Sequence, residues 1–262
     1  MPQQRPETLE LGPQIPTKLS CNDLPKWHVC LSPAWRRGDG ETVPAANDHE
    51  PLTDPQGSLG GPHGHAQWDE RYAGAEQVWS GSPNSALVTE VAGLRTGRAL
   101  DVGCGEGADA VWLAGQGWDV TALDVSQVAL ERAAALAQQA GAHVRWMHTG
   151  LVEAQLPASG FDLVSAQYPA LLHTPGADAE RALLAAVAPG GTLVVVHHAG
   201  MDTDQAKEHG FDPADYVSPS DVAAALGEGW QVEVNEQRAR DVRTGAGAHH
   251  THDVVLRARR QS

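Results

Sequence analysis

The chain has 262 residues, 41% of them hydrophobic, and a formal net charge of −15. That is enough for a substantial core, and the negative field repels nucleic-acid backbones and anionic membranes, so a small molecule is the expected partner. The three cysteines, Cys21, Cys30 and Cys104, cannot build a disulfide framework, no segment has the charged start and apolar run of a signal peptide, and no apolar run nears the roughly 20 residues of a membrane span; a cytoplasmic protein is the expectation.

Residues 1–65 carry 10 of the 17 prolines and show neither helical nor alternating periodicity, so disorder is expected there. Cys21, His28 and Cys30 lack the fourth ligand and the spacing of a zinc site, and no metal is expected. Across residues 66–262 strand-like and helix-like segments alternate. "RALDVG" (Arg98 to Gly103) reads as a buried strand, Glu106 to Gln116 as a helix, and "WDVTALDV" as a second strand. Ser126 then caps "QVALERAAALAQQA", whose Ala129, Ala133, Leu136, Ala137 and Ala140 share a face, and Gly141 stops it. "HVRWMH" and "FDLVSAQ" are the third and fourth strands. "AERALLAAVA" is a helix ended by Pro189 and Gly190, and "GTLVVVHH" is the fifth strand. After a long irregular stretch come a short helix from Ser220 to Leu226 and the strands "WQVEVNEQR" and "THDVVLRAR". This order predicts an α/β fold, a Rossmann-like three-layer sandwich around a mostly parallel seven-stranded sheet. The last strand should be antiparallel, because a loop of about ten residues is too short for a parallel crossover.

The chemistry concentrates in "LDVGCGEGADAVWLA", Leu100 to Ala114. A strand running into a glycine-rich turn and then a helix lets a cofactor approach the backbone, and Asp124, ending the next strand, can accept hydrogen bonds from two ribose hydroxyls. "GCGEGA" also fits the dinucleotide fingerprint, which keeps an NAD-dependent oxidoreductase open. Asp101 argues against it: a carboxylate there would face a pyrophosphate, whereas it suits a ligand with an ammonium group, such as S-adenosylmethionine. "LDVGCGEG" resembles the first motif of the class I S-adenosylmethionine-dependent methyltransferases. "VTALDVS", "FDLVSAQYPALLH" and "LAAVAPGGTLVVV" resemble further parts of that family. "WDERYAGAEQVWSGSPNSALV" is similar to the leading segment of its small-molecule branch, which includes thiopurine and tellurite-resistance methyltransferases, and in that branch aromatic residues close over the cofactor. Trp68, Tyr72 and Trp79 are the matching positions.

The resemblance implies that Asp101, Gly103, Cys104 and Gly105 meet the methionine part of S-adenosylmethionine. Asp124 would hold the ribose, Val125 would pack on the adenine, and Gln167 would stand at the methyl-transfer centre. After "WMH", relatives often supply a polar contact to the adenine amine; here Gly150 and Leu151, through their backbone, or Glu153 take that place. The implied activity is transfer of a methyl group to a sulfur, oxygen or nitrogen of a small-molecule acceptor, and a protein that binds the cofactor without turnover is a second alternative. Alignment of the acceptor does most of the work in such a displacement, so a base is optional. Tyr168, His173 and His197 rank first for it, at the ends of strands four and five. His198, and His249, His250 and His252 before the last strand, are further candidates, His249 and His250 sitting in the final hairpin loop; adjacent histidines on a strand point to opposite faces and cannot readily chelate one ion. The stretch from Met201 to Pro219 reads as a substrate lid carrying Phe211 and Tyr216.

Overall fold

The computed structural model describes residues 65–200, 204, 207, 212–240, 245, 248 and 250–262, so the expectation of disorder over residues 1–65 lies outside the described residues except at His65, which opens a helix, and the Cys21–Cys30 cluster, Phe211 and His249 lie outside them. The elements, in chain order, are α1 His65–Ala73, α2 Ser85–Val91, β1 Arg98–Val102, α3 Ala108–Gly115, β2 Asp119–Asp124, α4 Gln127–Ala140, β3 Val144–His148, β4 Phe161–Gln167, α5 Asp178–Ala186 and β5 Val187–His198. A 3-10 turn at Pro213–Asp215 then leads to α6 Pro219–Ala225, β6 Trp230–Ala239 and β7 His252–Arg260.

The sheet runs β3-β2-β1-β4-β5-β7-β6. β1 to β5 are parallel neighbours, and β7 is antiparallel to both β5 and β6, so the expected single reversed strand is the seventh. Local chemistry sets the helix ends. The Ser126 hydroxyl accepts from the Ala129 amide at the start of α4, and Gly141 leaves it with φ of 65°. Ser218 and Asp221 form a reciprocal capping box at α6. The buried face of α4 differs slightly from the sequence pattern, with Leu130 joining Ala129, Ala133 and Ala137 while Ala140 is exposed.

Strand alternation divides the core into two faces. Ala99, Val120, Ala122, Leu163, Val194, Val196 and Val255 pack with α2 and α3 through Leu87, Ala110 and Leu113. Leu100, Val102, Val164, Ala166, Leu193, Val195 and Leu256 pack with α5 and α6 through Leu183 and Val222. This parity decides which functional side chains meet, because any residue two positions beyond a core residue inherits its face.

Candidate active site

The turn after β1 places Gly103, Gly105 and Gly107 at φ of 69°, 51° and 84°, all in the left-handed region. At two of them the lack of a side chain is also a packing need. A Cβ on Gly105 would stand 2.9 Å from the Tyr72 hydroxyl and 3.0 Å from Trp79 Nε1; one on Gly107 would stand 2.6 Å from Ala133 Cβ, blocking the contact of the turn with α4. The turn's amides are committed inside the protein. Those of Gly103 and Cys104 both donate to the Leu123 carbonyl, at 2.9 and 3.0 Å, and that of Gly107 donates to the Cys104 carbonyl at 2.9 Å. The Gly105 amide donates to Asp124 Oδ2 at 2.8 Å. Such a turn does not hold out a row of amides to a phosphate.

Three acids lie around it. Asp124 accepts from Gly105 and, through Oδ1, from the Ser126 amide at 2.9 Å, which fixes the carboxylate and leaves further lone pairs. Asp109 accepts from both the backbone amide and the side-chain amide of Asn84, each at 2.7 Å, tying α3 to the start of α2. Asp101 is 1% exposed, and its Oδ2 has no hydrogen-bond partner among the described residues. Burial, with Asp109 and Asp124 close by, pushes the Asp101 carboxyl well above the ordinary carboxylate range. Burial likewise raises the Cys104 thiol, so it is packed in the turn as an unreactive group.

Residues 68–80 form a cap on this turn. Trp79 Nε1 donates to the Tyr72 hydroxyl at 2.8 Å. Glu106, inside the turn, accepts from the amides of Val78 and Trp79 and pairs with Arg132 at 2.8 Å. Arg132 also donates to the carbonyls of Tyr72 and Ala75, at 2.7 and 2.6 Å, and Asp69 accepts from Ser126 Oγ at 2.6 Å. The β6–β7 loop reaches the same cap: a Cβ on Gly245 would lie 2.6 Å from the Ser80 amide nitrogen.

Parity sorts the remaining candidates. Asp101, Asp124 and Gln167 stand on the face shared with α2 and α3, two positions beyond Ala99, Ala122 and, through Ser165, Leu163. Gln167 Nε2 donates to Ser165 Oγ at 3.0 Å, while its Oε1 is buried without a partner among the described residues. His198 and Asp253 share this face, following Val196 and preceding Val255 by two positions. Tyr168, with an uncommon φ of 52°, donates its hydroxyl to Asp253 Oδ2 at 2.8 Å and stacks on His198, with ring centroids 4.2 Å apart. His250 stacks on the other side of His198 at 4.0 Å. Arg240 Nε donates to the Tyr168 hydroxyl at 3.2 Å and lies 3.5 Å from Asp253 Oδ1.

His173 and His197 belong to the opposite face, so the three residues ranked together from the sequence are not brought together. His197 follows Leu193 and Val195, its Nε2 is buried without a partner among the described residues, and burial lowers its pKa to about 4. His173 lies 3.6 Å from Glu180 and 3.5 Å from Asp221. The end of the long segment after β5 docks there too. The Val217 amide donates to the Leu171 carbonyl at 2.8 Å, and burial pushes the Tyr216 hydroxyl up to about 12. His252 is exposed, beside Thr251.

At the other end of the edge, Val125 accepts from His148 Nε2 at 2.9 Å, and its Cγ1 lies 3.7 Å from where a Gly150 Cβ would stand. The Glu153 carboxylate occupies the space that Gly150 leaves open, while the Leu151 side chain is buried in the α5 and α6 face. Asp253 and Arg240 were not foreseen as site residues. Their sequence signal, an acid and a base flanking a hairpin loop, acquires meaning only when β7 is laid antiparallel on β5.

Residues 99–191 match the family model described as a methyltransferase domain. Over that stretch the chain is similar to methyltransferase domains. It is 38% identical over 123 residues to uncharacterized methyltransferases of Mycobacterium tuberculosis and Mycobacterium bovis, a match that covers 46% of this chain and 61% of each relative. A solved structure described under the conversion of a disulfide bond into a thioacetal group during echinomycin biosynthesis is 26% identical; the likeness covers 75% of this chain and 92% of that one, with a TM-score of 0.62. The N-methyltransferase NodS from Bradyrhizobium japonicum, in complex with S-adenosylhomocysteine, shares the fold at 21% identity, 76% and 100% coverage and a TM-score of 0.56.

Proposed function

We propose that this domain transfers a methyl group from S-adenosylmethionine to a heteroatom of a small-molecule acceptor. The observation that carries the proposal is the buried, unpartnered Asp101 Oδ2 beside a turn whose amides are already committed. A buried carboxyl with one unpartnered oxygen favours a cation, which can take the place of its proton, and penalises a pyrophosphate, which argues for a sulfonium- and ammonium-bearing ligand over NAD. Such a ligand supplies, when bound, an activated methyl group on a good leaving group.

The chain's own part is to bind, align and exclude water. Asp101, Gly103, Cys104 and Gly105 would hold the amino-acid end, and Asp124, fixed by two amides, would hold the ribose. Val125, Gly150 and Leu151 would border the adenine, with Glu153 in reach of its amine. Gln167, whose Oε1 needs a donor, would stand beside the reacting atoms, and the cap residues Tyr72 and Trp79 would shut the turn from solvent. The echinomycin-related structure supports a small-molecule acceptor, as does the net charge of −15, which disfavours nucleic acid.

Calorimetry with S-adenosylmethionine, S-adenosylhomocysteine and NAD tests the cofactor, and release of S-adenosylhomocysteine with an acceptor panel tests turnover. Tight binding of NAD with no response to S-adenosylmethionine would defeat the proposal.

A further inference from the structure

We propose that His198, oriented by Asp253, is the general base of this domain and that the acceptor presents a hydroxyl group, a phenol or an alcohol. The inference rests on the methyl-transfer reading and adds to it a base and an acceptor class.

Position comes first. His198 ends β5 on the same sheet face as Asp101, Asp124 and Gln167, at the carboxyl edge of the parallel strands, where ligands of open α/β sheets bind. Its neighbour His197, the more obvious choice from the sequence, points to the α5 and α6 face and is held neutral by burial.

Orientation comes second. His198 Nδ1 lies 3.4 Å from Asp253 Oδ1; in the proposed arrangement Nδ1–H donates to that carboxylate and Nε2 is the ring nitrogen that takes the proton. Asp253, 2% exposed, is itself fixed by the Tyr168 hydroxyl at 2.8 Å and by Arg240 at 3.5 Å. Tyr168 and His250 clamp the imidazole ring from both sides. A carboxylate that orients a histidine, with a third and fourth group holding the carboxylate, is the arrangement that proton abstraction needs.

The acceptor class follows from what such a base is worth. A thiol with a pKa near 8.5 is partly ionised at neutral pH, and a neutral amine already carries its lone pair. A hydroxyl with a pKa near 10 or above gains most, by about 10²- to 10⁴-fold. In the step, the hydroxyl proton passes to His198 Nε2 as the oxygen lone pair forms the bond to the methyl carbon, and the carbon–sulfur bond breaks with its electron pair left on sulfur. Among the described residues, the titratable and charged groups that face His198 are Asp253 from β7, Arg240 from the end of β6, Tyr168 from the end of β4, His250 from the hairpin and His197 beside it on β5.

The full chain and its His198→Gln and Asp253→Asn variants are assayed with S-adenosylmethionine against phenol, catechol, benzyl alcohol, aniline and thiophenol, from pH 6 to 9. Wild-type protein should methylate a hydroxyl probe with kcat/KM rising through one basic limb, and His198→Gln should lower it about 100-fold and flatten that limb. Any thiophenol turnover should change less than about threefold, since thiolate attack needs no base. Nitrogen NMR of labelled histidine should show the neutral Nδ1-protonated tautomer of His198, lost in Asp253→Asn. Because Asp253→Asn leaves Arg240 buried beside a neutral group, His198→Gln carries the kinetic comparison. Turnover confined to thiophenol or aniline, no turnover on any hydroxyl probe, an unchanged pH profile in His198→Gln, or an Nε2-protonated His198 overturns the proposal. Loss of S-adenosylmethionine binding by the wild-type protein overturns instead the reading on which it rests.

Discussion

Each face of the sheet's carboxyl edge keeps buried polar atoms without partners among the described residues, Asp101 Oδ2 and Gln167 Oε1 on one and Glu180 Oε2 and His197 Nε2 on the other, and the faces differ in how their histidine–acid pairs are held. On the α2 and α3 side, Asp253 is met by a tyrosine hydroxyl, an arginine and a histidine, and Asp124 by two amides. On the α5 and α6 side, Glu180 and His197 each keep a buried polar atom with no partner among the described residues, and His173 sits half-exposed between two carboxylates at 3.5 and 3.6 Å. A histidine and an acid at the end of a strand therefore do not make a site. What distinguishes the Asp253 pair is a carboxylate held in place by donors.

The comparison breaks most readily at Arg240. Arg240→Met should destabilise the protein by about 3–5 kcal/mol, because it leaves the Asp253 charge buried without its cation. Glu180→Gln on the other face should change stability by less than about 1 kcal/mol, and urea denaturation of the two variants measures the contrast. If the losses are equal, the two faces are energetically alike.

The next effect lies at Asp101. Asp101→Asn should weaken S-adenosylmethionine binding about 100-fold, or about 2.7 kcal/mol, by calorimetry. Because the folded-state pKa of Asp101 is raised, the free protein holds a proton there that the unfolded chain gives up near pH 4. Stability of the free protein should therefore fall as pH rises above about 4, and binding of a cation should release the proton, so that affinity climbs with pH. Calorimetry in two buffers of different ionisation enthalpy should show proton release in the wild type and none in Asp101→Asn.

A smaller effect belongs to the cap. Glu106→Gln removes the charge that accepts from Val78, Trp79 and Arg132, and should loosen residues 70–80 by about 1–3 kcal/mol in hydrogen exchange while β1 and β4 keep their protection. The smallest is expected at His197, where His197→Leu should leave melting unchanged or slightly raised and cofactor affinity within about twofold.

Much of this architecture was legible because strand period, glycine punctuation and capping residues are local signals. "FDLVSAQ" became β4 at the expected bounds, and Ser126 and Gly141 became the caps of α4. α2 was not read as a helix, since seven residues show too little periodicity, and its start is fixed by Asn84 bonding to Asp109. The acids around the glycine turn were found because they sit within or next to a motif. The choice between His197 and His198 could not be made from the sequence, because strand parity fixes only that they oppose each other; which one faces Asp101 depends on the pairing of β4 with β5. Arg240 and Asp253 lay further out of reach, since their meeting requires the register of β5, β6 and β7.

Gly245, pressed against the backbone of Trp79 and Ser80, joins the last hairpin to the leading segment. On a ribosome this order has a temporal meaning. A nascent chain that has emerged only through β5 possesses its glycine turn and the aspartates Asp101 and Asp124, yet it has neither Arg240 nor Asp253 to steady Tyr168 and His198, and no hairpin to brace the cap. The brace on the leading segment is therefore completed only after β6 and β7 have followed β5 out.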